Sequence, residues 1–223
     1  MNQEVSTEIV FSVNGEVRRV GAWARDLTLS QYLRQHASLR SVKEGCQSGG
    51  CGSCSVLLLS SAEKQKDLIV VNACLRSLPS VHGTHVFTTE ALPQLDSRLG
   101  LQGQQQQPLH PIQARLLQYH ATQCGFCTPG IVMSAYAALD PRATSPTESV
   151  EADEQRLERA LVGNLCRCTG YRPVLDAVKS LAMDRREAFC SSRDDPALVD
   201  VEDLASLCAR RSCVHSSSTS TSA

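Results

Sequence analysis

The chain has 223 residues, 20% of them charged, with a net charge of -1, which is enough for one large or two small domains, each with a modest core. Its cations are scattered, which excludes the electrostatic footprint of a nucleic-acid binder or of a protein held on an anionic membrane surface. The longest apolar stretch, Gly130 to Leu139, is too short to span a bilayer.

The opening residues Met1-Asn2-Gln3-Glu4 carry neither the basic nor the apolar region of a secretory leader, so a cytoplasmic location is expected. In a reducing compartment, the eleven cysteines point to metal ligation ahead of a disulfide framework.

In chain order, Ile9, Phe11 and Val13 alternate with more polar neighbours. Asn14-Gly15 then precedes Val17 and Val20, which predicts a hairpin with a tight primed turn. Trp23, the only tryptophan, reads as a packing residue rather than part of an electron path. From Leu29 the apolar positions Leu29, Tyr32, Leu33 and Ala37 follow helical spacing, with Thr28 or Asp26 as N-cap. His36 falls on or beside the inner face of that helix and reads as a packed or half-exposed side chain rather than a ligand.

The stretch Gly45-Cys46-Gln47-Ser48-Gly49-Gly50-Cys51-Gly52-Ser53-Cys54 comes next, with Cys74 further on. This is the C-x4-C-x2-C spacing with a distant fourth cysteine that marks a plant-type iron-sulfur site. Such a cluster is a dianion when oxidised and gains a further negative charge on reduction, so the chain around it must supply donors. Gly45, Gly49, Gly50 and Gly52 allow the loop to curl and to bring backbone N-H groups close to an anion.

Ser55 to Leu59 and Leu68 to Val71 read as strands separated by a charged turn at Glu63 to Asp67, and Val86 to Thr89 as a last strand. The order matches a small mixed sheet crossed by one helix and resembles the β-grasp ferredoxin fold. Residues 1–93 are therefore expected to form the first domain. Residues 94–110, with Gly100, Gly103, the run Gln104 to Gln107 and Pro108, are expected to be a linker.

Beyond the linker the periodicity becomes helical. Pro111 to Thr122 and Pro129 to Leu139 flank Cys124-Gly125-Phe126-Cys127, and the arrangement recurs with a helix from Ser149 to Val162, Cys166-Arg167-Cys168, and a helix from Pro173 to Met183. Pro129 and Pro173 suit a first helical position. The echo implies two antiparallel helix pairs whose loops bring four thiols to one metal centre. Helix N-termini, with Arg167 and Arg172 as further cations or as solvated surface groups, would flank it.

The helical domain is placed at 111–185 and a disordered tail at 186–223. The tail holds the weakly helical segment Ala197 to Leu207 and three free thiols, Cys190, Cys208 and Cys213; Asp140 to Val150 reads as a surface loop.

Zinc is the rival metal for any set of four cysteines. A zinc ribbon places roughly 15 to 20 residues between two C-x2-C pairs. Here the second set runs C-x2-C, 38 residues, C-x-C, and the first has the ferredoxin form. A Rieske site would need two histidines, and neither motif contains one.

The stretches Glu44-Gly45-Cys46, Gly49-Gly50-Cys51-Gly52-Ser53-Cys54, Val71-Asn72-Ala73-Cys74-Leu75, Leu109-His110-Pro111-Ile112-Gln113, Gln123-Cys124-Gly125-Phe126-Cys127-Thr128-Pro129-Gly130 and Gly163-Asn164-Leu165-Cys166-Arg167-Cys168-Thr169-Gly170-Tyr171-Arg172-Pro173 resemble the iron-sulfur portion of the molybdenum hydroxylases, nearest to xanthine dehydrogenase and aldehyde oxidase.

The resemblance spans about residues 8 to 183. It departs from the family in the longer spacer at Asp140 to Val150, in the extra linker glutamines and in Ser53, where alanine is frequent. It implies an α+β chain, a β-grasp 2Fe-2S ferredoxin-like domain followed by an all-α four-helix 2Fe-2S-binding domain.

By the same resemblance, one 2Fe-2S cluster is expected on Cys46, Cys51, Cys54 and Cys74, and a second on Cys124, Cys127, Cys166 and Cys168. Gln123 and Cys168 are expected beside the pterin of a molybdenum cofactor. Molybdopterin and FAD are expected on partner subunits or domains, with no substrate pocket on this chain, no nucleic acid and no membrane. The implied role is electron transfer from the molybdopterin centre through the two clusters to FAD and then to NAD or oxygen. The first reading is a xanthine dehydrogenase-like enzyme; the alternatives are the iron-sulfur subunit of an aldehyde oxidase or other molybdenum hydroxylase, a free-standing two-cluster ferredoxin, and a zinc-stabilised interaction module.

Overall fold

The structure is a computed structural model that describes residues 8–60, 68–92, 109–140 and 150–189. The expected turn at Glu63 to Asp67, all but the end of the linker, the interior of the Asp140 to Val150 loop, the Ala197 to Leu207 segment and the three tail cysteines lie outside them.

The first half is a five-stranded mixed sheet. Strands β1 (Ile9–Val13) and β2 (Glu16–Val20) form the expected hairpin, with Val13 opposite Glu16 and Ile9 opposite Val20. Both turn residues take positive φ, 52° at Asn14 and 86° at Gly15, which is the two-residue primed turn that matches strand twist. Strands β3 (Ser55–Ser60) and β4 (Leu68–Asn72) pair antiparallel. Strand β5 (Thr84–Phe87) lies between β3 and β1, antiparallel to the former and parallel to the latter, giving the order β2-β1-β5-β3-β4.

Helix α1 (Leu29–Gln35) crosses one face. Thr28 Oγ1 accepts from the Gln31 N-H at 3.2 Å and Gln31 Oε1 accepts from the Thr28 N-H at 2.9 Å, a reciprocal cap that satisfies two donors left over at the helix start. Leu29 and Leu33 are fully buried against Phe11, Val56, Leu58 and Val86. Trp23 departs from the packing role expected of it. It sits in a short 3-10 turn, Ala22–Ala24, in which Ala24 takes the core position, so the indole is left 62% exposed with its ring 4.8 Å from that of His36.

The second half contains, among the described residues, helices α2 (Pro111–Gln118), α3 (Thr128–Leu139), α4 (Val150–Leu161) and α5 (Arg172–Phe189). Helices α3 and α5 begin one residue before Pro129 and Pro173, so each proline is the second helical residue. There too its missing N-H breaks no intrahelical bond. Helix α2 ends at Gln118, short of Thr122, and α5 runs past Met183 to Phe189. His110 caps α2, its Nδ1 accepting from the Ile112 N-H at 3.2 Å while the His110 N-H donates to Gln113 Oε1 at 3.0 Å.

The two halves share a core. In β3 the side chains alternate: Val56 and Leu58 face α1, while Leu57 and Leu59 join Phe87, Val132, Met133 and Leu157 in a second cluster that runs through the helices. A strand covered on both faces reads as a continuous apolar run, and that is the character of Ser55 to Leu59. Helix α3, the longest apolar stretch in the sequence, is buried on nearly every side between the sheet and the other helices. Lys179 joins α5 to α4 through Glu154 and Glu158, at 3.1 and 2.7 Å.

Glu90 fastens the segment before the first cysteine loop to the end of β5. Its carboxylate accepts from the Ser41 N-H at 3.1 Å, from the Ser41 hydroxyl, and from Thr88 Oγ1 at 2.6 Å. Burial alone would raise its pKa, but the Ser41 and Thr88 bonds outweigh burial and hold it below the ordinary value. A carboxylate depressed in the folded state stabilises fully above its unfolded pKa, and that contribution disappears as pH falls through the lower folded value. Glu90→Gln is expected to cost on the order of 0.5 kcal/mol at neutral pH, a modest figure because solvent screens the carboxylate. The difference from the parent chain should begin to shrink in denaturant titrations run below about pH 4, the ordinary carboxylate range, and vanish only below the lower folded value.

Candidate metal centres

The first cysteine loop is shaped by Gln47, Gly49 and Gly52, all at positive φ, and is tied down from several sides. Asn72, at the end of β4, donates from Nδ2 to the Gly49 carbonyl at 2.9 Å and so holds the loop to the strand that leads into Cys74. Ser30, fully buried in the first turn of α1, donates from Oγ to Glu44 at 2.6 Å and from its backbone N-H to the Ala73 carbonyl at 3.0 Å. One helical turn thus grips the chain just before the first thiol of the quartet and just before the last. The Ser48 N-H lies 3.4 Å from Cys46 Sγ.

The second set is built on the loops before α3 and α5. Cys127 occupies the N-cap of α3, where the unpaired N-H groups of the first turn and the positive end of the helix dipole lie. Tyr171 supports the other loop, its hydroxyl accepting from the Cys166 N-H at 2.8 Å and donating to the Asn164 carbonyl at 3.2 Å. Thr169 Oγ1 lies 3.2 Å from Cys166 Sγ.

These two loops are in direct contact. The Asn164 side chain, 3% exposed, donates from Nδ2 to the Gly52 carbonyl at 3.0 Å, and the Leu165 N-H donates to the Cys51 carbonyl at 2.9 Å. The approach is too close for side chains. A Cβ on Gly130 would lie 2.1 Å from the Gly52 oxygen, and one on Gly52 would lie 2.3 Å from the Gly163 oxygen. The ring of Phe126 covers Gly45 from the helical side.

All eight described cysteines are free thiols, and the electrostatics groups them by pairs. Cys46 interacts with Cys51 and Cys54 with Cys74 in the first set, Cys124 with Cys168 and Cys127 with Cys166 in the second. Each set contains a buried pair, Cys54 with Cys74 and Cys127 with Cys166, and a more exposed pair. The Ser48 N-H, the Ser48 hydroxyl and Cys51 lower the Cys46 thiol to about 6. Burial first, and Cys74 next, push Cys54 up to about 12. Burial and then Cys166 push Cys127 up to about 12. Cys166 itself settles at about 7, because the Thr169 hydroxyl and backbone N-H groups outweigh burial. Each set therefore combines a thiol held below its ordinary value with a buried one held above it, and metal ligation favours the deprotonated form of both.

Among the described residues no three His, Cys, Asp or Glu side chains converge tightly enough to hold a single metal ion. A lone zinc needs four thiolates around one point. Two pairs of thiols, each with N-H and hydroxyl donors nearby, suit a two-iron group with two thiolates to each iron.

Cys168 and Gln123 are both exposed, and Gln123 directly precedes Cys124, the pair partner of Cys168. The sequence reading placed all eight thiols in the loops where they stand, but it missed Ser30, Asn164 and Tyr171 as supports. Asn164 and Tyr171 lie inside the Gly163 to Pro173 motif, so their proximity to the thiols was visible while their bonds were not.

A 2Fe-2S iron-sulfur cluster binding domain model matches residues 11–77, and a 2Fe-2S binding domain model matches residues 99–179. The chain is 44% identical over 179 residues to xanthine dehydrogenase of Oryza sativa subsp. japonica, covering 79% of this chain and 12% of that protein. It is 38% identical over 200 residues to abscisic-aldehyde oxidase of Arabidopsis thaliana, covering 88% and 13%. It thus spans about an eighth of the length of the curated relatives it matches. Among solved structures it is similar to a quinoline 2-oxidoreductase chain from Pseudomonas putida 86, with 29% identity, a TM-score of 0.60, and 83% and 98% coverage. It is also similar to the aldehyde oxidoreductase of Desulfovibrio gigas, with 32% identity, a TM-score of 0.61, and 88% and 18% coverage.

The contact between loops makes a direct test. Gly130→Ala drives a methyl into the Gly52 carbonyl, and overpacking of this kind costs about 1–3 kcal/mol, which in a chain of this size is a fall in melting temperature of roughly 5 °C. Gly50→Ala, where a Cβ meets nothing within 4 Å, is expected to leave the melting temperature within about 1 °C, since surface substitutions away from such contacts are near neutral.

Proposed function

Because the chain belongs to the 2Fe-2S domain family of the molybdenum hydroxylases, we propose that it is the electron-transfer iron-sulfur portion of a xanthine dehydrogenase-like oxidoreductase. Cys46, Cys51, Cys54 and Cys74 would hold one 2Fe-2S cluster, and Cys124, Cys127, Cys166 and Cys168 the other. The observation that carries this reading is the gathering of eight thiols into two quartets of paired sulfurs, joined through the Cys51 and Gly52 carbonyls. When bound, each cluster supplies a one-electron redox centre.

The residues divide the remaining work. The buried pairs Cys54 with Cys74 and Cys127 with Cys166 exclude water from one side of each centre, while Cys46, Cys124 and Cys168 keep the other side accessible. Ser48, Thr169 and the N-terminus of α3 direct partial positive charge at the sulfurs, which favours the added electron.

Cys168 and Gln123 form the exposed edge assigned to a molybdopterin-bearing catalytic partner, and an FAD-bearing partner completes the route to NAD or oxygen. Both partners are subunits or domains outside this chain, and substrate choice belongs to the catalytic one. The similarity to abscisic-aldehyde oxidase makes an aldehyde-oxidising assembly the second reading. The finer architecture in this proposal is a β-grasp domain over residues 1–93 and a four-helix domain over 111–185, joined across 94–110. A cytoplasmic location suits eight free thiols.

Anaerobic reconstitution with iron and sulfide is expected to give a brown protein with about four iron and four sulfide per chain. Cys51→Ser and Cys166→Ser should each lose about half of that iron. A variant that keeps the full complement would exclude that residue as a ligand, and a colourless zinc-loaded protein would overturn the proposal.

A further inference from the structure

Asn164 stands between the two quartets and binds to both. Its side-chain amide donates to the Gly52 carbonyl, next to Cys51, at 3.0 Å, and its own carbonyl accepts from Tyr171 at 3.2 Å, whose hydroxyl also takes the Cys166 N-H at 2.8 Å. The following residue, Leu165, donates to the Cys51 carbonyl at 2.9 Å. A continuous run of hydrogen bonds therefore joins the backbone of one cysteine loop to the backbone of the other. Asn164 is its only side-chain amide, and it is 3% exposed.

We propose that Asn164 is a positioning residue shared by both metal centres, so that each quartet keeps its shape only while the other loop is docked against it. This inference rests on the cluster reading above. The two ends of the brace are not equivalent. The Gly52 carbonyl also accepts from the Ser55 N-H at 3.2 Å and from Ser55 Oγ at 2.8 Å, so the first loop retains its own turn when Asn164 is replaced. What it loses is the clamp that holds the Cys51-Gly52 peptide against the helical half. The hydrogen bonds of the Tyr171 hydroxyl, by contrast, stay within the second loop.

That asymmetry makes distinct predictions for two substitutions. Asn164→Ala should loosen both quartets, and Tyr171→Phe, which removes one hydroxyl, should loosen the second alone. Asn164→Asp keeps the size of the side chain but turns a carboxylate oxygen toward the Gly52 carbonyl, so it should behave like Asn164→Ala if the donated hydrogen bond matters and like the parent if only volume does.

The test uses the full chain, reconstituted anaerobically with iron and sulfide, challenged with an iron chelator, and alkylated over time with each cysteine followed by peptide mass spectrometry. The parent should protect all eight thiols. Asn164→Ala and Asn164→Asp should expose Cys51 and Cys54, as well as Cys127 and Cys166, about tenfold faster, the usual scale for loss of a group that supports metal ligands. Tyr171→Phe should accelerate only Cys124, Cys127, Cys166 and Cys168.

The visible circular dichroism of the bound centres should change shape in the Asn164 variants while the far-ultraviolet spectrum stays that of the parent, which separates positioning from unfolding. Exposure of the second quartet alone in Asn164→Ala, or parent-like rates in both Asn164 variants, would overturn the inference. A parent chain that takes up zinc or no iron would instead sink the cluster reading on which it stands.

Discussion

The rest of the structure depends on the fit of one carbonyl into one crevice. The Gly52 oxygen lies against Gly130 and beneath the Asn164 amide, and the neighbouring Cys51 carbonyl takes the Leu165 N-H. Beyond the Asn164 amide, no further side chain fits at that point. Glycine is required on both sides because each missing Cβ would fall well inside contact distance of a backbone oxygen. Two cysteine loops from halves of different architecture thereby become one surface. The apolar core supports the same arrangement from below, since Leu57 and Leu59 of the sheet pack into the cluster that includes Val132 and Met133 of α3.

The chemistry of the thiols explains why so much is invested in those loops. Two ferric ions, two sulfides and four thiolates sum to a dianion, whose burial is costly unless donors face it. The structure meets that cost in two parts. One pair in each quartet is buried and the other is left at or near the surface, which limits desolvation. The nearby donors, Ser48 for Cys46 and Thr169 for Cys166, stabilise the thiolate form. The exposed sides of the two quartets are where a second redox group could approach, and Gln123 lies beside one of them.

Much of this was legible in the sequence, for physical reasons that differ from residue to residue. Asn14-Gly15 specifies its turn through φ alone and was readable without tertiary information, whereas the cap was left between Thr28 and Asp26 and falls to Thr28, whose bonds with Gln31 close it. The thiols were readable because metal chemistry imposes their spacing. Trp23 was misjudged because its apolar character says nothing about which residue of a three-residue turn faces inward, and Ala24 took that place. The exact starts of α3 and α5 shifted by one residue because proline tolerates either of the first two helical positions. The brace through Asn164 and Tyr171 was not readable, since Asn164 and Gly52 lie 112 positions apart and no periodicity connects them.

The most direct measurement of the central claim, two separate two-iron centres on one chain, is spin quantitation by low-temperature EPR of the reconstituted and fully reduced protein. Two 2Fe-2S centres, each holding one added electron, should give about two unpaired spins per chain. A single spin per chain, or an EPR-silent protein with zinc bound, would contradict it.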